Sequence, residues 1–225
     1  MGNVRRTADL QISIRDDEMA GLLGYPDAVL PERVRAMIAE IERRARGLLA
    51  PACAYRVMRR EEYQHSRYLR AVDESVLCLV TVGGDLEREV TRHKQSGELT
   101  RALLLDTYGS AAAEAAAAAA NAIIENVVGA RGLRCSRRFS PGYGGWPVEE
   151  QRWILPALEA DTLHVTLTEG CMMNPRKSIT FAVTISEDPV EKRAVDICET
   201  CGAVNCRLRH TTHKCFGERS NDALS

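Results

Sequence analysis

Between Pro31 and about Leu49 the apolar residues Val34, Met37, Ile38, Ile41, Ala45 and Leu48 recur at helical spacing. Glu32, Arg33, Arg35, Glu40, Glu42, Arg43 and Arg44 mostly occupy the other side. The pattern predicts an amphipathic helix facing a core. Before it, Arg15 to Tyr25 reads as one or two helical turns stopped by Gly24 and Pro26. LQISI, AYRVM and SVLCLVTVG read as strands, the last rich in β-branched residues and closed by Gly83-Gly84 in front of a helix, DLEREVTRHKQSG. Next comes LTRALLLDTYGSAAAEAAAAAANAIIENVVG, a strong helix with Ser110 as a candidate cap. Its alanine run, broken only by Glu114, offers little side-chain area and invites close backbone approach. Two readings follow: tight packing against a sheet, or a surface shaped for a large planar cofactor.

Further on, VEEQRWILPALEA predicts a helix with Trp153, Ile154 and Leu158 on one face and Pro156 able to kink or stop it. HVTLTEGCMMNPRKSITFAVTISED reads as strand, turn, strand: Val165 and Leu167 alternate on the first, and Ile179, Phe181, Val183 and Ile185 on the second. Helices and strands are mixed along the chain in the manner of an α+β fold.

With 225 residues, 45% of them hydrophobic, the chain can bury one main core with room for a small satellite. A formal net charge of -1 argues against a nucleic-acid protein held mainly by phosphate neutralisation. The start, MGNVRRTADLQISIRDDEM, lacks the apolar run of a signal peptide, and no segment supplies the roughly 18 apolar residues of a membrane span. A soluble, cytoplasmic protein is expected. Eight cysteines, half of them crowded near the C-terminus, point to metal chemistry rather than a disulfide framework.

The stretch CSRRFSPGYGGWPVEEQ, residues 135 to 151, concentrates the remaining chemistry. Pro141-Gly142 suits the two central positions of a type II turn, because proline fixes the first φ and glycine accepts the positive second one. Such a turn lets Arg138 and Tyr143 converge, and an arginine grips a carboxylate through two parallel hydrogen bonds. A small zwitterion is a reasonable ligand. The plain alternative is a structural turn with solvated arginines.

Within this stretch RFSPGYGGWPVEEQ resembles the R-x-x-P-G-Y-x-x-x-P loop of the activation domain of cobalamin-dependent methionine synthase. LTEGCMMNPRKSIT is similar to the L-T-E-S/G stretch and proline-serine turn of that family. TVGGDLEREV and LLLDTYGSAAAEA resemble the central portion of short, free-standing relatives. The matches run in the same order over roughly residues 10 to 187. The resemblance implies an α+β fold, mainly an antiparallel twisted sheet flanked by helices, over residues 1-190; the cysteines beyond it make 191-225 a separate, small cysteine-rich metal-binding segment. The resemblance also implies S-adenosylmethionine as a ligand: Arg138 on the methionine carboxylate, Ser140 as a backbone contact, Tyr143 as the loop tyrosine, and Glu169 near the loop, orienting the amine, answering Arg138 or tying the loop down.

By the same resemblance the chain is an accessory protein that reactivates a separate corrinoid-binding protein or methyltransferase subunit. It would return cob(II)alamin, carried by that partner, to the methylated or reduced state. The electron donor would be of the flavodoxin or ferredoxin kind, and no nucleic acid or membrane takes part. The chain departs from the family pattern after the last strand, where it runs ITFAVTISEDPVEKR in place of paired tyrosines. That departure favours an alternative, a noncatalytic cap or chaperone for a corrinoid protein.

Beyond the segment that the resemblance covers, Cys198-x-x-Cys201-x4-Cys206 and Cys215 form a strong metal signal in a polar segment, with His210 or His213 able to replace Cys215. All-cysteine ligation serves zinc and iron-sulfur clusters alike, so both stay open. A zinc ribbon that binds a partner is a third reading of the chain. Cys171 would join the cluster if the tail folds back over the LTEGC turn; otherwise it is a buried thiol. Cys78 reads as core, Cys53 and Cys135 are scattered, and His65, His93 and His164 have no neighbours at ligand spacing.

Overall fold

The computed structural model describes residues 3–25 and 29–187. In chain order the elements are β1 (Arg5–Thr7), α1 (Asp16–Leu23), α2 (Glu32–Ala45), β2 (Ala52–Arg59), β3 (Glu74–Thr81), α3 (Asp85–Gln95), α4 (Leu99–Gly129), β4 (Arg134–Cys135), α5 (Gln151–Ala157), β5 (Thr166–Leu167), β6 (Met173–Asn174) and β7 (Ser178–Ser186). Five strands form a curled antiparallel sheet in the order β1-β2-β3-β7-β4, flanked by helices, as the α+β expectation requires. β5 and β6 make a separate two-stranded ribbon.

The surroundings of β3 explain why its sequence is apolar from Val76 to Val80. Val76, Cys78 and Val80 face α4, while Leu77 and Leu79 face Trp146, Ile154 and Leu158 on the opposite side. A strand covered on both faces has no polar side to show. Against the first face lie Ala112, Ala116, Ala117 and Ala120 of α4, all fully buried. The alanine run therefore packs its backbone close to the sheet, and the face suggested for a planar cofactor is filled by the protein's own core. A third cluster joins α1, α2, α3 and the first half of α4 around Met19, Ile38, Leu86, Leu105 and Tyr108.

Three expectations change. LQISI alternates as a strand should, with Leu10 buried and Ile12 and Ile14 packed on the sheet. It joins no ladder, however, because Asp9 turns into the left-handed region (φ 55) and the pairing with β2 is made by Arg5–Thr7. Ser110 does not cap a helix: α4 begins at Leu99, and the Ser110 hydroxyl donates to the Asp106 carbonyl at 3.2 Å and accepts from Lys177 Nζ at 2.8 Å. Finally, the two strands expected around the LTEGC turn, 165–167 and 179–185, are not partners. Thr166 and Leu167 pair with Asn174 and Met173, whereas β7 enters the central sheet beside β3, where both of its faces can be buried.

Candidate functional site

The edge of the sheet is where the predicted loop begins. Arg134 and Cys135 pair with Ser186 and Ile185 of β7. Ser136 continues the ladder, its N–H donating to the Thr184 carbonyl and its hydroxyl accepting from the Thr184 N–H, each at 2.9 Å. Phe139 then exchanges both backbone hydrogen bonds with Ala182, at 3.0 and 2.8 Å. Three steps from Ser136 to Phe139 oppose two steps from Thr184 to Ala182, so one residue is inserted. Such a bulge re-aims side chains.

Its effect is to part neighbours. Phe139 joins Tyr68 and Trp146 beneath one face of the sheet, and Arg138 turns to the α4 face. The Arg138 guanidinium lies 5.4 Å from the Phe181 ring centroid, and its Nη2 donates to Glu114 Oε2 at 3.3 Å. The arginine side chain is 20% exposed and that of Glu114 38%, so the pair sits at the rim of the core with water on one side. Glu114, the residue that interrupts the alanine run, is the acid that answers Arg138.

After the bulge the chain makes two consecutive tight turns. The Tyr143 N–H donates to the Ser140 carbonyl at 3.2 Å around Pro141 and Gly142, and Gly142 has φ 92, as a type II turn demands. The Trp146 N–H then donates to the Tyr143 carbonyl at 2.9 Å around Gly144 and Gly145, both with positive φ. A bond of 2.7 Å from Gly142 N–H to the Trp146 carbonyl closes the pair. The Ser140 carbonyl is thus engaged within the turn and keeps one lone pair for a further contact. Tyr143, at the junction of the turns, leaves its ring half exposed.

Trp146 anchors this assembly. Its ring is buried and stacks on Tyr68 at 5.0 Å with an interplanar angle of 6°. Its Nε1–H donates to Glu150 Oε2 at 2.6 Å, and the same carboxylate accepts from the Ser66 hydroxyl at 2.5 Å and the Arg67 N–H at 3.2 Å. Neither Glu114, visible only as the break in the alanine run, nor Glu150 carries a sequence signal for this site. Glu150 lay within the quoted stretch but had no signal separating it from any acid at a helix start.

Glu169 occupies the exposed turn between β5 and β6. Thr168 shapes that turn: its N–H donates to the Met172 carbonyl at 2.9 Å, its carbonyl accepts from Cys171 N–H at 3.0 Å, and its hydroxyl accepts from Met172 N–H at 3.1 Å. The main-chain oxygen of Glu169 accepts from Arg152 Nη2 of α5 at 2.5 Å. Both loops therefore hang from the start of α5. Met172, beside Glu169, is 54% exposed.

Cys171 is buried and is a free thiol. Cys78 and Cys135 are held in the thiol form because burial raises them, Cys135 to about 11. Among the described residues no group of three or more His, Cys, Asp and Glu is disposed to hold a metal ion. Cys198, Cys201, Cys206, Cys215, His210 and His213 lie outside the described residues. A cleft of about 970 Å³ opens elsewhere, lined by Gly83, Gly84, Arg88, His164 and Pro175 among others, and includes none of Arg138, Ser140, Tyr143 and Glu169. Among the described residues no helix is long and apolar enough to cross a membrane.

No protein-family model matches the sequence, and no curated protein matches it. The fold does match solved structures. Among them is the MetH reactivation domain bound to AdoHcy, with a TM-score of 0.60 and 13% sequence identity, over 83% of this chain and 79% of that chain. At that identity the likeness is one of fold.

Proposed function

We propose that this chain is a reactivation module acting on a separate corrinoid protein, with an S-adenosyl ligand held at the loop of Arg138, Ser140 and Tyr143. The observation that carries the reading is the coincidence of that loop motif with a fold shared with a domain whose structure holds AdoHcy. The residues present fit such a ligand. Arg138 makes one hydrogen bond among the described residues, so an edge of its guanidinium remains for a carboxylate. Glu114, 3.3 Å from it, offers the opposite charge for the ammonium of the same amino-acid moiety. Tyr143, half exposed at the junction of the two turns, is the third residue of the loop motif.

S-adenosylmethionine supplies an electrophilic methyl group to the reduced cobalt of the partner. The balance is one electron from an external donor to cob(II)alamin, with the methyl leaving sulfur as a cation and S-adenosylhomocysteine released. The chain's own contribution is to hold the amino-acid end of the ligand between Arg138 and Glu114.

Calorimetry on the full chain should register S-adenosylmethionine or S-adenosylhomocysteine binding, weakened about tenfold or more by Arg138→Ala, the worth of one charge-assisted interaction. Arg138→Lys should not restore it, because a point charge lacks the planar fork. Normal binding by Arg138→Ala would remove the assigned pocket. A second reading, a cap that binds the corrinoid protein without an S-adenosyl ligand, draws on the Glu114 contact, which already supplies Arg138 with a carboxylate. Corrinoid-protein binding with no heat from either S-adenosyl compound would favour the cap.

A further inference from the structure

We propose that Glu150 is the positioning residue of the double turn Ser140 to Trp146, holding it against the connection between β2 and β3. The ligand arm of the test below rests on the reading above; the conformational arm does not.

An ionised carboxylate has about four lone-pair sites. Three of those on Glu150 are met by donors from two separate segments: Trp146 Nε1–H at 2.6 Å from the turn side, and the Ser66 hydroxyl at 2.5 Å with Arg67 N–H at 3.2 Å from the β2–β3 connection. Ser66 is itself fixed. It is fully buried, its oxygen accepts from Leu69 N–H at 3.0 Å, and its carbonyl accepts from Arg70 N–H at 3.1 Å. Glu150 thus ties the turn to a folded connection.

Trp146 transmits the hold. Its side chain belongs to the Glu150 network and the Tyr68 stack, while its backbone N–H and carbonyl bond to Tyr143 and Gly142. Tyr143 is held at its backbone from both sides, by Ser140 and by Trp146, and its ring stays half exposed. The turn contains Gly142, Gly144 and Gly145, all at positive φ, so its closed form carries a large entropic cost. An anchor at Trp146 offsets that cost before any ligand arrives, which is how a binding loop is made ready in advance.

Amide exchange by NMR on the ligand-free full chain tests the hold. Glu150→Ala should speed exchange at Gly142, Tyr143 and Trp146 by about tenfold or more relative to Leu77 and Leu79 of β3, the size of one charged hydrogen bond. Glu150→Gln keeps an acceptor for Trp146 and Ser66 and should restore most of the protection. Ser66→Ala, which leaves the turn untouched, should shift the same amides in the same direction by less. Equal acceleration across turn and strand in Glu150→Ala would make the residue merely stabilising and overturn the proposal. So would no acceleration, and so would unchanged turn amides in Ser66→Ala, which would break the link to the β2–β3 connection.

With S-adenosylmethionine, Glu150→Ala should weaken affinity by about tenfold at a temperature where it remains folded, and Glu150→Gln should bind near the wild-type level. If the wild type binds no S-adenosyl compound, the ligand reading fails while the exchange result still decides the role of Glu150.

Discussion

Gly109 of α4 packs against Leu86 of α3 and Lys177. A Cβ there would lie 2.6 Å from Leu86 Cδ2 and 3.2 Å from Lys177 Cε, and Leu86 is fully buried. Alanine is worth about 1 kcal/mol more than glycine in a helix interior, whereas forcing a methyl into a packed core costs about 1–3 kcal/mol. Gly109→Ala should therefore be net destabilising, by up to about 2 kcal/mol in urea unfolding; a gain in stability would mean that Leu86 has somewhere to go. Sequence could not show this, since a glycine inside a helical pattern reads the same whether it is tolerated or required. The reverse holds at Glu114. As the one polar residue among the alanines it was visible, but its pairing with Arg138 depends on the inserted residue between Ser136 and Phe139, and a bulge has no signature in an arginine pair. Pro141-Gly142 was legible for the opposite reason, because proline and glycine dictate backbone angles by themselves.

At the scale of elements, α3 and α4 are joined through a buried imidazole. His93 Nδ1 lies 2.6 Å from Glu98 Oε2 and its Nε2 3.3 Å from Glu89 Oε1, while Arg92 grips Glu89 through two bonds and Arg101 reaches both Glu98 and Glu40. The bond to His93 lowers the Glu98 carboxyl below its ordinary value, and the bonds to Arg92 lower Glu89. A carboxylate depressed in the folded state favours folding above its unfolded value, and that contribution is lost as pH falls through the folded value. The thermal midpoint should drop as pH goes from about 5 to about 3, and Glu98→Gln should lower the neutral-pH midpoint and flatten that fall. An unchanged slope in Glu98→Gln would assign the acid sensitivity elsewhere. α4 was legible through the helix propensity of its alanine run, and β3 because apolar residues run unbroken from Val76 to Val80. β5 and β6, two residues each, are too short for any periodicity. The neighbour of β7 was not legible either: β3 lies about a hundred positions back along the chain, and a local hairpin with 165–167 satisfied the same alternation.

For the whole molecule, the fold shared with the reactivation domain accounts for 83% of the chain, and Cys198, Cys201, Cys206 and Cys215 fall outside the described residues. The described part supplies no group of metal ligands, and burial keeps Cys78 and Cys135 protonated at neutral pH. Thiolates bind metal and thiols do not. Metal that copurifies with the full chain is therefore expected at the four C-terminal cysteines, at about one centre per chain. Cys198→Ser with Cys201→Ser should abolish it, while S-adenosylmethionine binding at Arg138 is retained; metal surviving in that double variant would place the centre elsewhere. The identity of the metal then bears on the proposed reaction, which needs one electron delivered to the partner's cobalt. Iron with equimolar acid-labile sulfide in an anaerobic preparation would give the chain its own electron entry point, and loss of the cluster should slow reactivation with a ferredoxin-type donor without weakening S-adenosylmethionine binding. Zinc would leave electron delivery to the donor alone, and the serine variant should then reactivate the corrinoid protein at the wild-type rate once the two proteins are mixed at saturating concentration.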